Sequence, residues 1–457
     1  MKRNKLRLWL RKHPLKLSST QIIAVVFALI ILLGSCLLML PAASKSGQSC
    51  SFADALFTAT SATCVTGLVP FDTGSSWTTF GHIVIITMIE VGGLGFMSMA
   101  SMVVLLLRRK VGLKQRMIMA QALSLNEMDS VVRLQKWVIF GSLIVQGVGA
   151  LVLFCRFLPE QGFSKAAIWG VFHAISAFCN AGFDLFGEMV PGSSVMLFQN
   201  DPVVLITLMA LIAIGGLGFF VWEEVVRVHS WRKFSVYTKL VLLVSAVLTV
   251  GGALGFCLLE WNNPQTMGAM TAGEKILNGF FQSVTVRTAG FDAIGQGVLT
   301  DGSKGLSMLL MLIGGSSGST AGGVKTVTMV VLVLFLWARA RGRSTVCVFK
   351  RTIPADKALD AMTIVGLVTG LAVLGAVFIS ATSPVSFTDG LYEAVSALAT
   401  VGLTTGATTL LSLPAQLLIT VYMYFGRVGI LTISLGFLMG DRAEDRFRYA
   451  HTNLLIG

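Results

Sequence analysis

Apolar residues run along this chain in blocks of about 20, with neither the period-two alternation of a half-buried strand nor the one-sided stripe of a soluble helix. Residues 21–40, 137–154, 203–221, 240–259 and 359–379 are such blocks, each close to the length needed to cross ~30 Å of hydrocarbon. Each predicts a helix embedded in a membrane. Between them lie shorter stretches of about ten helix-compatible residues, too short and too polar to cross, each ending in a glycine. Composition agrees: 54% of the 457 residues are hydrophobic and 12% charged, about half the ~25% of soluble domains.

The net charge of +13 invites a nucleic-acid reading, but its placement argues against one. Twenty-seven of the 35 Lys and Arg residues sit in the first 16 residues, in 108–136, 227–239 and 339–357, and after Asp441. These are alternate connections, and the connections between them are poor in cations. That asymmetry places the basic connections, and both termini, on the cytoplasmic side. The basic start followed by Met39-Leu40-Pro41-Ala42-Ala43-Ser44 has a trace of a secretory signal. Its apolar stretch exceeds the usual ~7–15-residue core, so a retained helix is expected. Seven scattered cysteines match neither a metal site nor a redox pair.

Four stretches align with one another: 54–67, 168–182, 276–290 and 390–402. Each has an early Phe or Tyr, then a small or hydroxyl residue, and a final glycine. The glycines, Gly67, Gly182, Gly290 and Gly402, are 115, 108 and 112 residues apart. A second landmark follows each: Val91-Gly-Gly-Leu-Gly-Phe96, Ile214-Gly-Gly-Leu-Gly-Phe219, Ile313-Gly-Gly315 and Phe425-Gly-Arg-Val-Gly429. Evenly spaced landmarks are the mark of an internal repeat. The expected fold is therefore an all-α polytopic membrane protein of four tandem helix–pore-loop–helix repeats, with pseudo-fourfold symmetry and eight transmembrane spans around one central pore.

Ten helical residues rise only ~15 Å, half the hydrocarbon thickness. The residues after them have no helical pattern: Thr63-Cys64-Val65-Thr66-Gly67, Cys179-Asn180-Ala181-Gly182, Arg287-Thr288-Ala289-Gly290 and Ala399-Thr400-Val401-Gly402. Such backbone is tolerated at membrane depth only where protein buries it or it lines a watery cavity. Four half-helices around one axis supply that cavity and aim carbonyl oxygens at a common centre, the way a filter replaces an ion's hydration shell. The glycine permits backbone angles that a residue with Cβ resists.

The third unit differs. Residues 305–338 are too many for one straight crossing, and their middle reads Gly314-Gly315-Ser316-Ser317-Gly318-Ser319-Thr320-Ala321-Gly322-Gly323. Ten small residues cannot hold a lipid-facing helix, so a loop is expected inside the protein, where it can obstruct a pathway; close packing of small residues is the alternative. Arg427 lies within the last apolar run, a costly position unless it faces a cavity or partner. Arg287 is expected to turn away from the centre toward a carbonyl or an acid such as Asp389 or Glu393. Glu90 and His173 read as packing or hydrogen-bonding residues.

Thr60–Gly67, Phe172–Phe183, Arg287–Phe291 and Ala399–Leu403 resemble the corresponding stretches of the Ktr/Trk/HKT superfamily of potassium transporters, most closely the bacterial Ktr membrane subunit, over about residues 21–440. The resemblance implies a potassium pathway in each chain and names 314–323 as an intramembrane gate, to which Lys325 belongs by position. It implies a cation barrier at Arg427, in its Gly-Arg-x-Gly motif. It further implies a homodimer in the bacterial plasma membrane, in contact with lipid and regulated by a soluble ring of nucleotide-binding subunits; the 449–457 tail is placed at one of those interfaces. Sodium-selective relatives carry serine at the first filter glycine, so Gly67 speaks for potassium. The absence of helices before the first repeat speaks for Ktr over Trk. The division is then a basic tail 1–20, repeats 21–107, 137–226, 240–338 and 358–440, cytoplasmic linkers 108–136, 227–239 and 339–357, and a tail 441–457. No organic cofactor, nucleic acid or enzymatic chemistry is expected. Sodium dependence, a Trk-like or sodium-permeable transporter, and an ion-coupled secondary transporter stay open as alternatives.

Overall fold

The computed structural model describes residues 19–95, 131–343 and 345–429, with side chains from 21 and 135 onward in the first two stretches. Most of the basic N-terminal tail, the connection 96–130 and everything after Gly429, including the proposed interface tail, lie outside the described residues.

The chain is mostly helical. Helices α1 (Ser19–Leu38), α2 (Phe52–Cys64) and α3 (Thr79–Leu94) form the first segment. Helix α4 (Val131–Phe178) is two helices joined across a break. Pro159 removes a backbone donor there and Gly162 adopts φ 73°, ψ 169°, so a long outer arm is followed by a short inner one. Helices α5 (Pro202–Leu217) and α6 (Phe219–Val228) complete the second segment. The third comprises α7 (Val236–Glu260), α8 (Ala272–Thr285), α9 (Asp301–Leu312) and α10 (Thr326–Ala340). The fourth comprises α11 (Ala355–Thr382), α12 (Phe387–Leu398) and α13 (Leu413–Val428). Among the described residues, α1, α4, α7 and α11 are each long and apolar enough to cross a membrane, and α5 with α6 makes a fifth candidate if the bent pair counts as one span.

The short helices start where the sequence supplies caps. Ser51, Thr271 and Ser386 accept the amides of Asp54, Glu274 and Asp389, and Thr271 with Glu274 forms a full capping box. Each segment then leans on the next: α3 packs on α4, α5 on α8, α9 on α12, and α13 returns to α2. The segments thus close into a ring with the four short helices inside it. Phe57, Phe172, Phe281 and Tyr392, the early aromatics or, for Phe281, the residue beside one, are buried.

The second glycine landmark has a steric reason. A Cβ on Gly92 would lie 1.9 Å from the Thr63 carbonyl oxygen, one on Gly215 2.0 Å from that of Phe178, and one on Gly426 2.3 Å from that of Leu398. Three inner helices therefore press backbone against the C-terminal end of a short helix. Gly215→Ala should lower the melting temperature of the purified protein sharply, because overpacking costs about 1–3 kcal/mol and the obstacle here is backbone. An unchanged melting curve would contradict that contact.

Two expectations change. The apolar run 203–221 is not one helix: α5 stops at Leu217, Gly218 takes φ 88° and ψ 145°, and α6 departs at 94°. Helices α3 and α13 likewise end at Gly95 (φ 81°) and Gly429 (φ 93°), so in these three segments the last glycine of the landmark ends the helix. The connection 339–357 is also more than a linker, since Val346–Val348 and Arg351–Ile353 pair as an antiparallel hairpin.

Candidate functional site

Each short helix ends in the same backbone figure. Val65, Asn180, Thr288 and Thr400 adopt left-handed φ values of 57°, 58°, 67° and 51°, and two residues later Gly67, Gly182, Gly290 and Gly402 take 98°, 69°, 83° and 96°. Three of the first set are β-branched, which disfavours this region by of order 1–3 kcal/mol each. Such strain persists only where the surroundings over-determine it. Here they do: the amides of Thr66, Ala181 and Val401 donate to the carbonyls of Ser61, Ser176 and Ser396 at 2.8 Å, and Gly290 donates to Thr285 at 3.3 Å. The hydroxyls add a second tie. Gly67 and Gly402 amides donate to Ser61 Oγ and Ser396 Oγ at 3.0 and 3.1 Å, while Ser176 and Thr285 donate to the carbonyls of Phe183 and Phe291 at 2.6 and 2.7 Å.

The four glycines meet. A Cβ on Gly67 would fall 2.5 Å from the Ala181 oxygen, one on Gly182 2.8 Å from the Ala289 oxygen, one on Gly290 2.5 Å from the Val401 oxygen, and one on Gly402 2.0 Å from the Thr66 oxygen. Each glycine faces the carbonyl of the next segment, in one rotational sense, and the last returns to the first. The residues three before each glycine, Cys64, Cys179, Arg287 and Ala399, lie at the helix ends beneath. The buried hydroxyls of Thr63, Thr66, Thr288 and Thr400 have no partner among the described residues.

Residues 314–323 pass under this ring as an irregular loop between α9 and α10. The loop is closed at its neck, where the Gly314 amide donates to the Val324 carbonyl at 2.9 Å and Thr326 Oγ1 to the Gly314 carbonyl at 2.7 Å. One side is bonded to the second segment. Ser316 and Thr320 amides donate to the Gly216 and Gly215 carbonyls at 3.1 and 3.3 Å, and the Phe219 amide returns one to Gly318 at 2.9 Å. Thr320 Oγ1 lies 3.0 Å from the Phe178 carbonyl and 3.2 Å from Asn180 Oδ1, and Tyr237 donates to the Ser317 carbonyl at 3.0 Å. The other side meets the fourth segment, where a Cβ on Gly322 would lie 2.0 Å from Thr400 Oγ1. Ala321, Gly323 and Ser319 complete the turn, Ser319 Oγ donating to the Ser316 carbonyl at 2.7 Å.

Two cations approach the loop. Lys325 Nζ donates to the Ala321 carbonyl at 2.7 Å. The Arg427 guanidinium donates to the carbonyls of Thr320, Gly92 and Gly93, so one side chain of α13 joins the loop to the end of α3. Its partners are all carbonyls.

A chain with these features has recognisable relatives. The family described as TrkH, cation transport protein, matches residues 4–445. The chain belongs to the TrkH family. Within that family it is 39% identical to the potassium/sodium uptake protein NtpJ of Enterococcus hirae, over 97% of this chain and 98% of the relative. It is 36% identical to the Ktr system potassium uptake protein B of Bacillus subtilis, over 98% of each. The crystal structure of the potassium transporter TrkH from Vibrio parahaemolyticus superposes with a TM-score of 0.71, covering 94% of this chain and 86% of that one. At 17% identity that likeness is one of fold. The TrkH-family chain is accordingly a membrane transport protein and not an enzyme.

Several sequence expectations find their place in this TrkH-family fold. His173 bonds the Trp169 carbonyl at 2.7 Å and accepts the Leu185 amide at 3.1 Å, and it stacks on Phe186. Glu90 accepts Gln146 Nε2 at 3.0 Å and the Cys179 thiol at 3.3 Å. Arg287 does turn from the centre toward a carbonyl, that of Ser245 at 3.4 Å. The acids proposed for it are engaged elsewhere, because Asp389 pairs with Lys304 at 3.0 Å and Glu393 holds Thr404 and Thr408. The bonds from Thr320 to Asn180 and from Tyr237 to Ser317 were not visible in the sequence, since no spacing rule links residues 80 to 140 positions apart.

Proposed function

We propose that this chain takes up potassium through the ring of Gly67, Gly182, Gly290 and Gly402, with the backbone of 63–67, 179–182, 287–290 and 399–402 as its selectivity filter. Supporting it is the convergence of four glycines, each facing a neighbouring carbonyl, with unpartnered threonine hydroxyls around them. Potassium is the ion named for NtpJ and for the Ktr system protein. In this reading the chain has four repeats in pseudo-fourfold order, eight spans and one pore, with the domain limits 21–107, 137–226, 240–338 and 358–440. Residues 314–323 with Lys325 and Arg427 act as the gate, because the loop bridges the second and fourth segments directly beneath the ring.

The protein then works in the bacterial plasma membrane, both termini in the cytoplasm, as a homodimer among lipids. A second subunit regulates it, since the Ktr relatives are named as parts of a system; the resemblance specifies a nucleotide-binding ring. Sodium is the second reading, favoured by the name of NtpJ, either as a permeant ion or as a requirement for potassium uptake. Purified chain in liposomes, with the two ions varied separately, distinguishes them. Rubidium or potassium entry in sodium-free buffer is expected. Entry of sodium at an equal rate, or no potassium entry under any condition, would overturn the assignment.

A further inference from the structure

Counting from the glycines lets the four junctions between successive segments be compared: two residues before the first glycine of the second landmark stands an acid only at the first, Glu90, and Ala213, Leu312 and Tyr424 at the others. At the first junction, Cys179, three residues before Gly182, meets Glu90, two residues before Gly92, with Gln146 of α4 completing the group. At the second junction the same counting gives Arg287, three before Gly290, and Ala213, two before Gly215. A cavity of about 330 Å³ occupies this junction, with Ala213, Arg287 and Ser245 in its wall.

Arg287 is poorly satisfied there. Its contacts are the carbonyl and hydroxyl of Ser245 at 3.4 and 3.5 Å, both at the long limit of a hydrogen bond, and Nε has no partner among the described residues. A second donor faces the same cavity unpartnered: Nδ2 of Asn180, a residue 1% exposed. Two orphan donors, one of them a cation, converge on one space. Leaving a guanidinium unpaired in such surroundings costs several kcal/mol. The remaining wall is apolar, including Ile212, Leu242 and Val250, and Val250 is 48% exposed, so the cavity opens sideways on the apolar surface of the chain.

We propose that this cavity is a binding site for a carboxylate carried on an apolar body, of the long-chain fatty-acid class. The carboxylate takes the place that Glu90 fills at the preceding junction and receives the planar fork of Arg287 together with the Asn180 amide. A single negative charge matches the single cation, whereas a divalent phosphate would leave excess charge among apolar side chains. The hydrocarbon tail follows Ile212, Leu242 and Val250 toward the lipid. Gly315 forms part of the same wall and Asn180 holds Thr320, so the occupant lies against the loop.

Equilibrium binding of nitroxide-labelled stearate to the full chain in phosphatidylcholine nanodiscs tests this. One saturable site per chain is expected, competed by palmitate but not by methyl palmitate, inorganic phosphate or chloride. Arg287→Gln and Ala213→Glu should each weaken binding at least about tenfold, the latter by supplying the carboxylate internally. Ala246→Phe, which fills the cavity from α7 and replaces neither donor, should do the same if either polar variant fails to fold. Equal competition by the methyl ester, competition by phosphate or chloride, or unchanged binding in the folded variants would each overturn the proposal, as would the absence of a saturable site.

Discussion

Gly67→Ser is expected to reduce the preference for potassium over sodium at least about tenfold, equivalent to about 1.4 kcal/mol of discrimination. The reason is geometric. Gly67 sits at φ 98°, where a side chain is strained, and its Cβ would stand 2.5 Å from the Ala181 oxygen. That carbonyl must retreat by roughly 1 Å to restore van der Waals contact, and with it goes one of the oxygens proposed to replace the ion's hydration shell. Competition of sodium against rubidium uptake, in cells lacking their own potassium transporters, measures the change. Selectivity equal to that of the native chain would remove Gly67 from the filter.

Deleting 316–322 is expected to raise potassium flux at least about tenfold in the absence of any regulatory partner, corresponding to a barrier lower by about 1.4 kcal/mol. The loop bridges carbonyls of the second segment and Thr400 of the fourth, so its removal opens the space beneath the ring. The deletion also severs the bonds to Gly215, Gly216 and Leu217, which have structural value of their own. Arg427→Gln is the gentler companion: it removes the cation below the ring and frees the Thr320, Gly92 and Gly93 carbonyls. It should raise flux in the same direction but by less. Flux into liposomes, normalised to folded protein, reads both. If neither variant exceeds the native rate, the loop is a packing element and not a gate.

What was legible in the sequence had a local cause. The four ring glycines stand out because each answers a backbone requirement that repeats at nearly equal intervals and that glycine meets without strain, whereas the left-handed Val65, Thr288 and Thr400 two residues earlier carry no such mark. The broken third inner helix was legible for the same reason, as ten small residues cannot sustain a helix facing lipid. The second landmark was visible as a pattern without a reason: Gly92, Gly215 and Gly426 are required by the carbonyls of Thr63, Phe178 and Leu398, which lie some 28 to 37 positions earlier in the chain. The helix ends at Gly95, Gly218 and Gly429 were hidden because the apolar run of the sequence continues past each of them. Arg287 was half legible. Its turning away follows from charge alone, but the acids Asp389 and Glu393 had nearer partners that only the packing discloses.

The directed contact of the ring has a genetic consequence. Because Gly67 faces Ala181, Gly182 faces Ala289, Gly290 faces Val401 and Gly402 faces Thr66, damage at one position is felt first by the segment that follows it. Second-site suppressors of a glycine substitution should therefore cluster in the next segment around the circle, with the fourth glycine rescued from the first. A random-mutagenesis selection on low potassium would carry that handedness in its list of revertants.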